Sequence, residues 1–269
     1  MIGVFDSGVG GLTVLHECLV SLPEEDYIYV GDSGHFPYGT KTVEELRERA
    51  VAITEFLFER DIKLLVIACN SATAVAGPLI RMMGEEAGIP VVTVVGPEAE
   101  IAGAITESGR IGVLATPATV ASGAYGSALE ELGRPFTVTE VAAPDLAPII
   151  QGGVPFDQTV LDTVRGYCRP LISAQIDTLI LGCTHYPLVA PMLQRLLGRD
   201  VRLVTAGHAI AGAIQRSLAG SGSLAGTGDE GTYEFLVTGA KERFEELGTR
   251  FLQLPLDGRV QHVDIGGQN

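Results

Sequence analysis

The 269-residue sequence predicts an α/β protein made of two similar halves. Short apolar runs alternate with segments of helical periodicity, which is typical of mostly parallel sheets covered by helices on both faces. The pattern also restarts, because Ile-Gly-Val-Phe at 2–5 returns as Ile-Gly-Val-Leu at 111–114. A second, gapless repeat pairs residues 62–69 with residues 176–183, and each copy ends on a cysteine. We therefore predict two pseudo-symmetric doubly wound domains with the active site in the cleft between them.

Composition restricts the class of partner. The net charge of −15 repels nucleic acid and anionic lipid, so we expect neither nucleic acid nor a membrane as a partner. The N-terminus shows no signal-peptide pattern, and no apolar run approaches the ~18 residues that a membrane span needs. We therefore expect a cytoplasmic protein whose four cysteines are reduced. No Cys-x-x-Cys pair or zinc-type ligand spacing is present.

In the first half, apolar runs bounded by turn residues predict four strands, at 2–5, 27–31, 64–69 and 91–95. The first helix lies at 12–22. The second begins with a capping box formed by Thr42 and Glu45. Ser71 is expected to cap the third helix, which the Gly77-Pro78 pair kinks or splits.

The second half begins after Gly96-Pro97, which closes the fourth strand. Thr116-Pro117 predicts a helix start with proline at the first helical position, and Tyr186-Pro187 predicts another helix start. The remaining strands are predicted at 110–115, 136–141, 178–183, 202–205, 232–238 and 259–263, and the remaining helices at 146–151, 157–174, 208–219 and 241–247.

Two cysteines stand at equivalent strand ends, Cys69 in the first half and Cys183 in the second. Ligands bind at the carboxyl ends of such strands, so the two thiols converge on one cleft if the halves face each other. One thiolate can then remove a proton from a carbon while the opposite thiol protonates the other face, which inverts the configuration. Asp6 and His185 are candidates for assisting one thiol each. A single cysteine at a strand end fits packing equally well, but the matched pair favours chemistry.

Four segments together resemble the glutamate racemases of the aspartate/glutamate racemase superfamily. They are FDSGVGGLTV at 5–14, the stretch from Gly31-Asp32 to Pro37-Tyr38-Gly39, ACNSAT at 68–73 and LGCTHYPL at 181–188. The resemblance implies a cofactor-independent isomerase that interconverts L- and D-glutamate and supplies D-glutamate for peptidoglycan. It also implies a homodimer. We expect no pyridoxal phosphate, nicotinamide or metal.

The resemblance also implies a division of labour among residues. Cys69 is expected to act on D-glutamate and Cys183 on L-glutamate. The first domain is expected to span 1–95 with 206–269, and the second 96–205. The implied substrate-contacting residues are Asp6, Ser7, Tyr38, Gly39, Asn70, Ser71, Thr184 and His185.

Some residues depart from the family pattern or fit another explanation. Gln151 and Ala143 stand where the family often has glutamate and cysteine, so an accessory role of that glutamate does not carry over. Asn70 and Ser71 also fit simple helix capping, which is compatible with carboxylate binding. We also expect Thr116 and Thr119, which follow the strand at 110–115 in the second half, to donate to the substrate.

Other functions fit parts of the same pattern. A related aspartate racemase fits the same motifs. A decarboxylase of the superfamily needs only one proton donor, so it leaves one cysteine unexplained. A non-catalytic protein that closes on a small acid explains the cleft without the paired thiols. The last alternative is a metal site, with ligands from Asp6, Cys69, Cys183 and His185.

Overall fold

The structure, a computed structural model, describes residues 1–153, 157–226, 228–256 and 258–266. Within these ranges, ten strands form two sheets and eleven α-helices connect them. The strands are β1 (Ile2–Asp6), β2 (Tyr27–Gly31), β3 (Leu64–Ile67), β4 (Val91–Thr93), β5 (Arg110–Ala115), β6 (Thr137–Ala142), β7 (Thr178–Gly182), β8 (Arg202–Val204), β9 (Tyr233–Val237) and β10 (Val260–His262). The helices are α1 (Leu12–Ser21), α2 (Val43–Phe58), α3 (Asn70–Ala87), α4 (Val95–Ile105), α5 (Pro117–Ser122), α6 (Ala124–Glu130), α7 (Leu146–Gly152), α8 (Gln158–Ser173), α9 (Ala190–Leu197), α10 (Ala206–Ser221) and α11 (Lys241–Leu252). None of these helices is both long and apolar enough to cross a membrane.

The two sheets repeat one strand order. The first sheet runs β10-β9-β2-β1-β3-β4 and the second runs β6-β5-β7-β8. Every described pairing is parallel. With β5 as the counterpart of β1, the order of the second sheet matches β2-β1-β3-β4 of the first. The predicted α/β fold with two like halves is therefore confirmed.

Strands from the C-terminal segment extend the first sheet. β9 pairs with β2, and β10 pairs with β9. The strands between residues 110 and 204 form the second sheet alone. We continue to propose the division into 1–95 with 206–269 and 96–205, which agrees with this strand membership.

The buried core joins the two sheets. One apolar cluster contains Ile2 and Val4 of β1 together with Ile111 and Val113 of β5, all fully buried. A second cluster lies on the opposite face of the first sheet, where Phe5 packs. Burial of apolar side chains is the main favourable term in folding, so a shared cluster fixes how the halves face each other.

Several predicted boundaries are confirmed and others are wrong. The capping box is present, because the Glu45 amide donates to Thr42 Oγ1 at 3.2 Å and the Thr42 amide donates to Glu45 Oε2 at 2.8 Å. Pro117 begins α5 as expected. Tyr186 begins a 3-10 turn before α9, so the helix starts later than predicted.

The region after β3 differs from its prediction. β3 ends at Ile67, Cys69 is the residue that precedes α3, and Ser71 lies inside the helix instead of capping it. α3 also continues through Pro78. Proline removes one backbone donor, but the buried helix face that includes Ile80 packs on both sides of it and keeps the helix whole.

The segment after β4 was also predicted incorrectly. The strand ends at Thr93, and α4 occupies the residues that were expected to close it. Gly96 and Pro97 fall in the first turn of α4. Backbone N–H groups there have no partner within the helix, so proline costs little at this position. This missed helix carries Glu98, which is fully buried.

Candidate active site

The predicted site residues gather at the carboxyl ends of β1, β3 and β7, together with the segment that follows β2. One cavity between the halves has both cysteines in its wall. Its lining includes every predicted site residue except Asp6, namely Ser7, Tyr38, Gly39, Cys69, Asn70, Ser71, Cys183, Thr184 and His185. The cavity volume of about 20 Å³ holds about one water molecule. The cavity as it stands is therefore too small for an amino acid.

Cys69 is buried at the N-terminal end of α3. Burial is the main reason why the pKa of its thiol rises to about 12, and the nearby Asp6 carboxylate adds to the rise. Hydrogen bonds from the Ala72 amide and from Ser7 act in the opposite direction. These donors favour a thiolate, which a helix N-terminus also stabilises.

Asp6 lies behind the cavity wall rather than in it. Its Oδ2 accepts a hydrogen bond from the Gly8 amide at 3.1 Å. Its Oδ1 accepts one from the Thr184 hydroxyl at 3.2 Å, which connects the two halves. Burial raises the pKa of Asp6. The arrangement favours a role through its neighbours over direct contact with a ligand.

Cys183 lies beside the ring of His185. The Sγ–Nδ1 distance is 3.9 Å, and Nε2 of the ring lies 2.8 Å from Oε1 of Gln151. The ring packs between Phe36 and Phe251, with centroid distances of 5.4 Å and 5.3 Å. Burial lowers the pKa of His185 to about 3 and raises that of Cys183 well above its ordinary value. A neutral ring that donates from Nε2 to Gln151 leaves Nδ1 as an acceptor toward the thiol.

Hydroxyl groups meet across the cleft. Ser71 Oγ lies 2.8 Å from Thr116 Oγ1 and 3.3 Å from Thr119 Oγ1. Thr116 Oγ1 also accepts from the Thr119 amide at 3.3 Å, so it caps α5. Ser71 comes from the first half and the threonines from the second. Ser71 and Thr116 line the cavity, where their hydroxyls can donate to a carboxylate, whereas the fully buried Thr119 is not among the lining residues.

The position of Tyr38 is set by a buried ion pair that sequence reasoning missed. The Tyr38 hydroxyl donates to Asp32 Oδ2 at 2.5 Å, and Arg49 donates to both oxygens of Asp32 at 2.9 Å and 3.0 Å. A Cβ atom on Gly39 would lie 2.7 Å from that of Thr116, so only glycine permits this approach. The Tyr38 hydroxyl is therefore engaged, and the Tyr38–Gly39 backbone is the part available to a ligand.

Two further residues missed by sequence reasoning surround Asn70. The Asn70 amide nitrogen donates to Glu98 Oε2 at 3.0 Å and to the Tyr125 hydroxyl at 2.8 Å. Glu98 and Tyr125 are both fully buried. The sequence gives no signal for either residue. The Gly96-Pro97 pair before Glu98 is typical of a turn, and Tyr125 belongs to none of the motifs described above.

The four residues of the metal-site alternative do not form a ligand cluster. No group of three or more His, Cys, Asp or Glu within the described ranges has an arrangement that could hold a metal ion. Asp6, Cys69, Cys183 and His185 all lie within those ranges. The arrangement can instead exchange protons, with two thiols facing one cavity and a titratable neighbour beside each.

Comparison with known proteins gives consistent matches. A family model described as Asp/Glu/Hydantoin racemase matches residues 7–214. The chain is 41% identical over 264 residues to a glutamate racemase of Geobacter metallireducens, which covers 98% of this chain and 96% of the relative. A glutamate racemase isoform from Bacillus anthracis has a similar structure, with a TM-score of 0.92, 37% identity and coverage of 98% and 97%. The Francisella tularensis glutamate racemase in complex with D-glutamate matches with a TM-score of 0.90, 30% identity and the same coverage.

Proposed function

The chain belongs to the Asp/Glu/Hydantoin racemase family, and we propose that it interconverts L- and D-glutamate through Cys69 and Cys183. The observation that carries this proposal is that thiols from equivalent strand ends line the same cavity. The similar Francisella tularensis enzyme was solved with D-glutamate, which supports glutamate as the substrate.

The proton transfers follow from the neighbours of each thiol. With L-glutamate, His185 Nδ1 takes the Cys183 proton while that sulfur takes the α-proton of the substrate. The resulting carbanion takes a proton from Cys69 on its other face and becomes D-glutamate. Asp6, whose pKa is raised by burial, is suited to return a proton to Cys69. The reverse reaction exchanges the two roles.

The carboxylates of the substrate are proposed to bind without a basic side chain. Neither Lys nor Arg is among the described residues that line the cavity. The available donors are the hydroxyls of Ser71 and Thr116 and the backbone of the Tyr38–Gly39 segment, all of which line the cavity. Amides at the N-terminus of α3 add to them, because a helix N-terminus favours negative charge.

A racemase that uses only thiols needs no cofactor, and we propose that this one uses none. The proton transfers proposed above use Cys69, Cys183, Asp6 and His185 alone, so they call for no further group. Activity that persists after exhaustive dialysis against a chelator supports this proposal. Activity that disappears on dialysis and returns with a divalent metal or pyridoxal phosphate would contradict it.

The cellular part of the proposal rests on the family resemblance. We infer that the protein works in the cytoplasm as a homodimer and supplies D-glutamate for peptidoglycan and cell-wall synthesis. Growth of a D-glutamate-requiring bacterium after expression of this chain would support that role. A monomeric mass by light scattering, at concentrations where the protein is active, would contradict the dimer.

The test of function is racemisation of each glutamate enantiomer by the purified protein with no added cofactor. We expect both enantiomers to reach the racemic mixture, and Cys69→Ala and Cys183→Ala each to abolish it. Cys168→Ala is the matched control, because that buried cysteine lies on α8 outside the cavity. Faster racemisation of aspartate would favour the aspartate racemase. Binding of glutamate without turnover would favour the non-catalytic protein.

A further inference from the structure

A buried acid next to the active site has no role in the proton transfers described above. Glu98 lies in the first turn of α4 with none of its surface exposed. Its Oε2 accepts hydrogen bonds from the Tyr125 hydroxyl and from Asn70 Nδ2, the latter at 3.0 Å. Among the described residues it forms no ion pair. A buried acid without a cation is costly unless something else compensates for it.

The hydrogen bonds among Glu98, Asn70 and Tyr125 are those expected when the Glu98 carboxyl group is ionised. Asn70 uses one amide hydrogen for Glu98 and the other for Tyr125, and the Tyr125 hydroxyl hydrogen goes to Glu98. A protonated Glu98 would leave one hydrogen without an acceptor, because Oε1 has no partner among the described residues and a hydrogen on Oε2 would displace that of the Tyr125 hydroxyl. Burial opposes the ionised form and raises the pKa of Glu98 to about 8. A nearby cation would therefore stabilise the form that the hydrogen bonds require.

The same cluster fixes which end of the Asn70 amide is free. Both hydrogens on its nitrogen are used, so only the carbonyl oxygen is left for a ligand. That oxygen, Oδ1, is buried and has no hydrogen-bond partner among the described residues. Asn70 follows Cys69 directly and lines the same cavity as both cysteines. A carbonyl oxygen only accepts hydrogen bonds, so its ligand must be a donor.

We propose that Glu98 is a positioning residue that makes the site specific for an amine: it holds Asn70 so that its carbonyl oxygen accepts from the α-ammonium of the substrate, and it supplies the buried negative charge behind that contact. The proposal rests on the function proposed above, since the α-ammonium belongs to glutamate. It also explains why an acid without a cation lies beside a site for an anionic substrate. The bound ammonium is the missing cation.

The role of Glu98 can be measured by comparing two ligands that differ only in the amine. D-Glutamate carries the ammonium, and glutarate has the same two carboxylates without it. Dissociation constants of both are measured by calorimetry in the Cys69→Ala background, which is expected not to racemise the ligand, with and without Glu98→Gln, which keeps an acceptor oxygen and removes the charge. Glu100→Gln is the matched control, because Glu100 is exposed on the same helix.

We expect Glu98→Gln to raise the dissociation constant of D-glutamate about tenfold and to change that of glutarate by less than about twofold. Only D-glutamate has an ammonium group, so only its binding loses the attraction to the Glu98 carboxylate. Tyr125→Phe, which keeps the carboxylate but removes one of its donors, is expected to weaken D-glutamate binding selectively and by a smaller factor. Glu100→Gln is expected to change neither constant.

Equal weakening of both ligands in Glu98→Gln, or no weakening of either, would overturn the proposed role. A structural role alone predicts equal weakening, because a distorted cavity does not distinguish the ligands. Binding is measured without turnover, so the outcome is separate from that for racemisation. A wild-type protein that binds D-glutamate but does not racemise it would contradict the proposed function only, and the comparison of ligands would still decide the role of Glu98.

Discussion

The side-chain oxygen of Gln151 lies 2.8 Å from Nε2 of His185. This contact makes Nε2 the protonated nitrogen of the neutral ring, because an amide oxygen can only accept. Nδ1 is then the acceptor that faces Cys183 at 3.9 Å. The sequence showed Gln151 only as a departure from a family pattern. In the structure Gln151 contacts the ring of His185, and that ring lies beside the Cys183 thiol. A change at Gln151 is therefore expected to affect the thiol through His185.

Gln151→Leu is expected to lower kcat/KM about tenfold, because the ring loses the acceptor that selects its tautomer. The decrease must be the same for both enantiomers, since their equilibrium constant is one. Steady-state polarimetry in both directions measures it. Gln158→Leu on the exposed face of α8 is the control and should keep wild-type turnover. Unchanged kcat/KM in Gln151→Leu would show that the tautomer is fixed in another way.

The buried His185 ring should make the protein less stable in acid. Its pKa is about 3 in the folded state, against about 6.5 when unfolded. Between these values the unfolded chain binds a proton that the folded protein does not, so stability decreases as the pH falls through this window. His185→Asn removes that dependence. The wild type should lose about 2 kcal/mol more than the variant between pH 7.5 and pH 5.

Denaturant unfolding of both proteins at pH 7.5 and pH 5 tests this expectation. The difference in unfolding free energy between the wild type and His185→Asn should change in favour of the variant at the lower pH. Other acids titrate in both proteins and cancel in this comparison. A difference that is the same at both pH values would mean that the folded protein accommodates a protonated ring.

The Asp32–Arg49 pair should contribute strongly to stability. Arg49 donates to both carboxylate oxygens, and its Nη1 also donates to the carbonyls of Ile265 and Gly266. Arg49→Met leaves a buried carboxylate without its cation, which is expected to lower the free energy of unfolding by about 3 kcal/mol.

The control for this pair lies two residues earlier. Arg47 is exposed on α2, and its described hydrogen bond goes to the Val75 carbonyl at 3.3 Å. Arg47→Met should change the unfolding free energy by less than about 1 kcal/mol. Both variants are measured by denaturant unfolding at pH 7.5. Equal losses in the two variants would contradict the importance of the buried pair.

The sequence predicted the parts of this molecule that depend on local pattern. The repeat that ends on Cys69 and Cys183 predicted two like sheets, and the Thr42–Glu45 capping box was found as expected. The α4 helix was missed because Gly96-Pro97 is as typical of a turn as of a first helical turn. The structure brings the predicted site residues together, and their individual roles stay proposals.

Contacts between distant segments could not be predicted from one sequence. Glu98 meets Asn70 and Tyr125 only because three helices from different parts of the chain converge. Asp32 reaches Arg49 in the same way, from a strand end to a helix face. Hydrogen bonds of this kind leave no periodic trace in the sequence, because each needs only one polar residue at one position.

In the proposed reaction, Cys69 and Cys183 act from opposite faces of one carbon, and this arrangement decides where hydrogen from the solvent enters. It is tested most directly by racemisation in deuterated water, starting from one enantiomer and stopped early. A two-base reaction predicts that the newly formed enantiomer carries deuterium at its α-carbon while the remaining starting enantiomer keeps its hydrogen. Substantial deuterium in the starting enantiomer at the same early time would contradict the account, because it indicates a single base or rapid exchange before product forms.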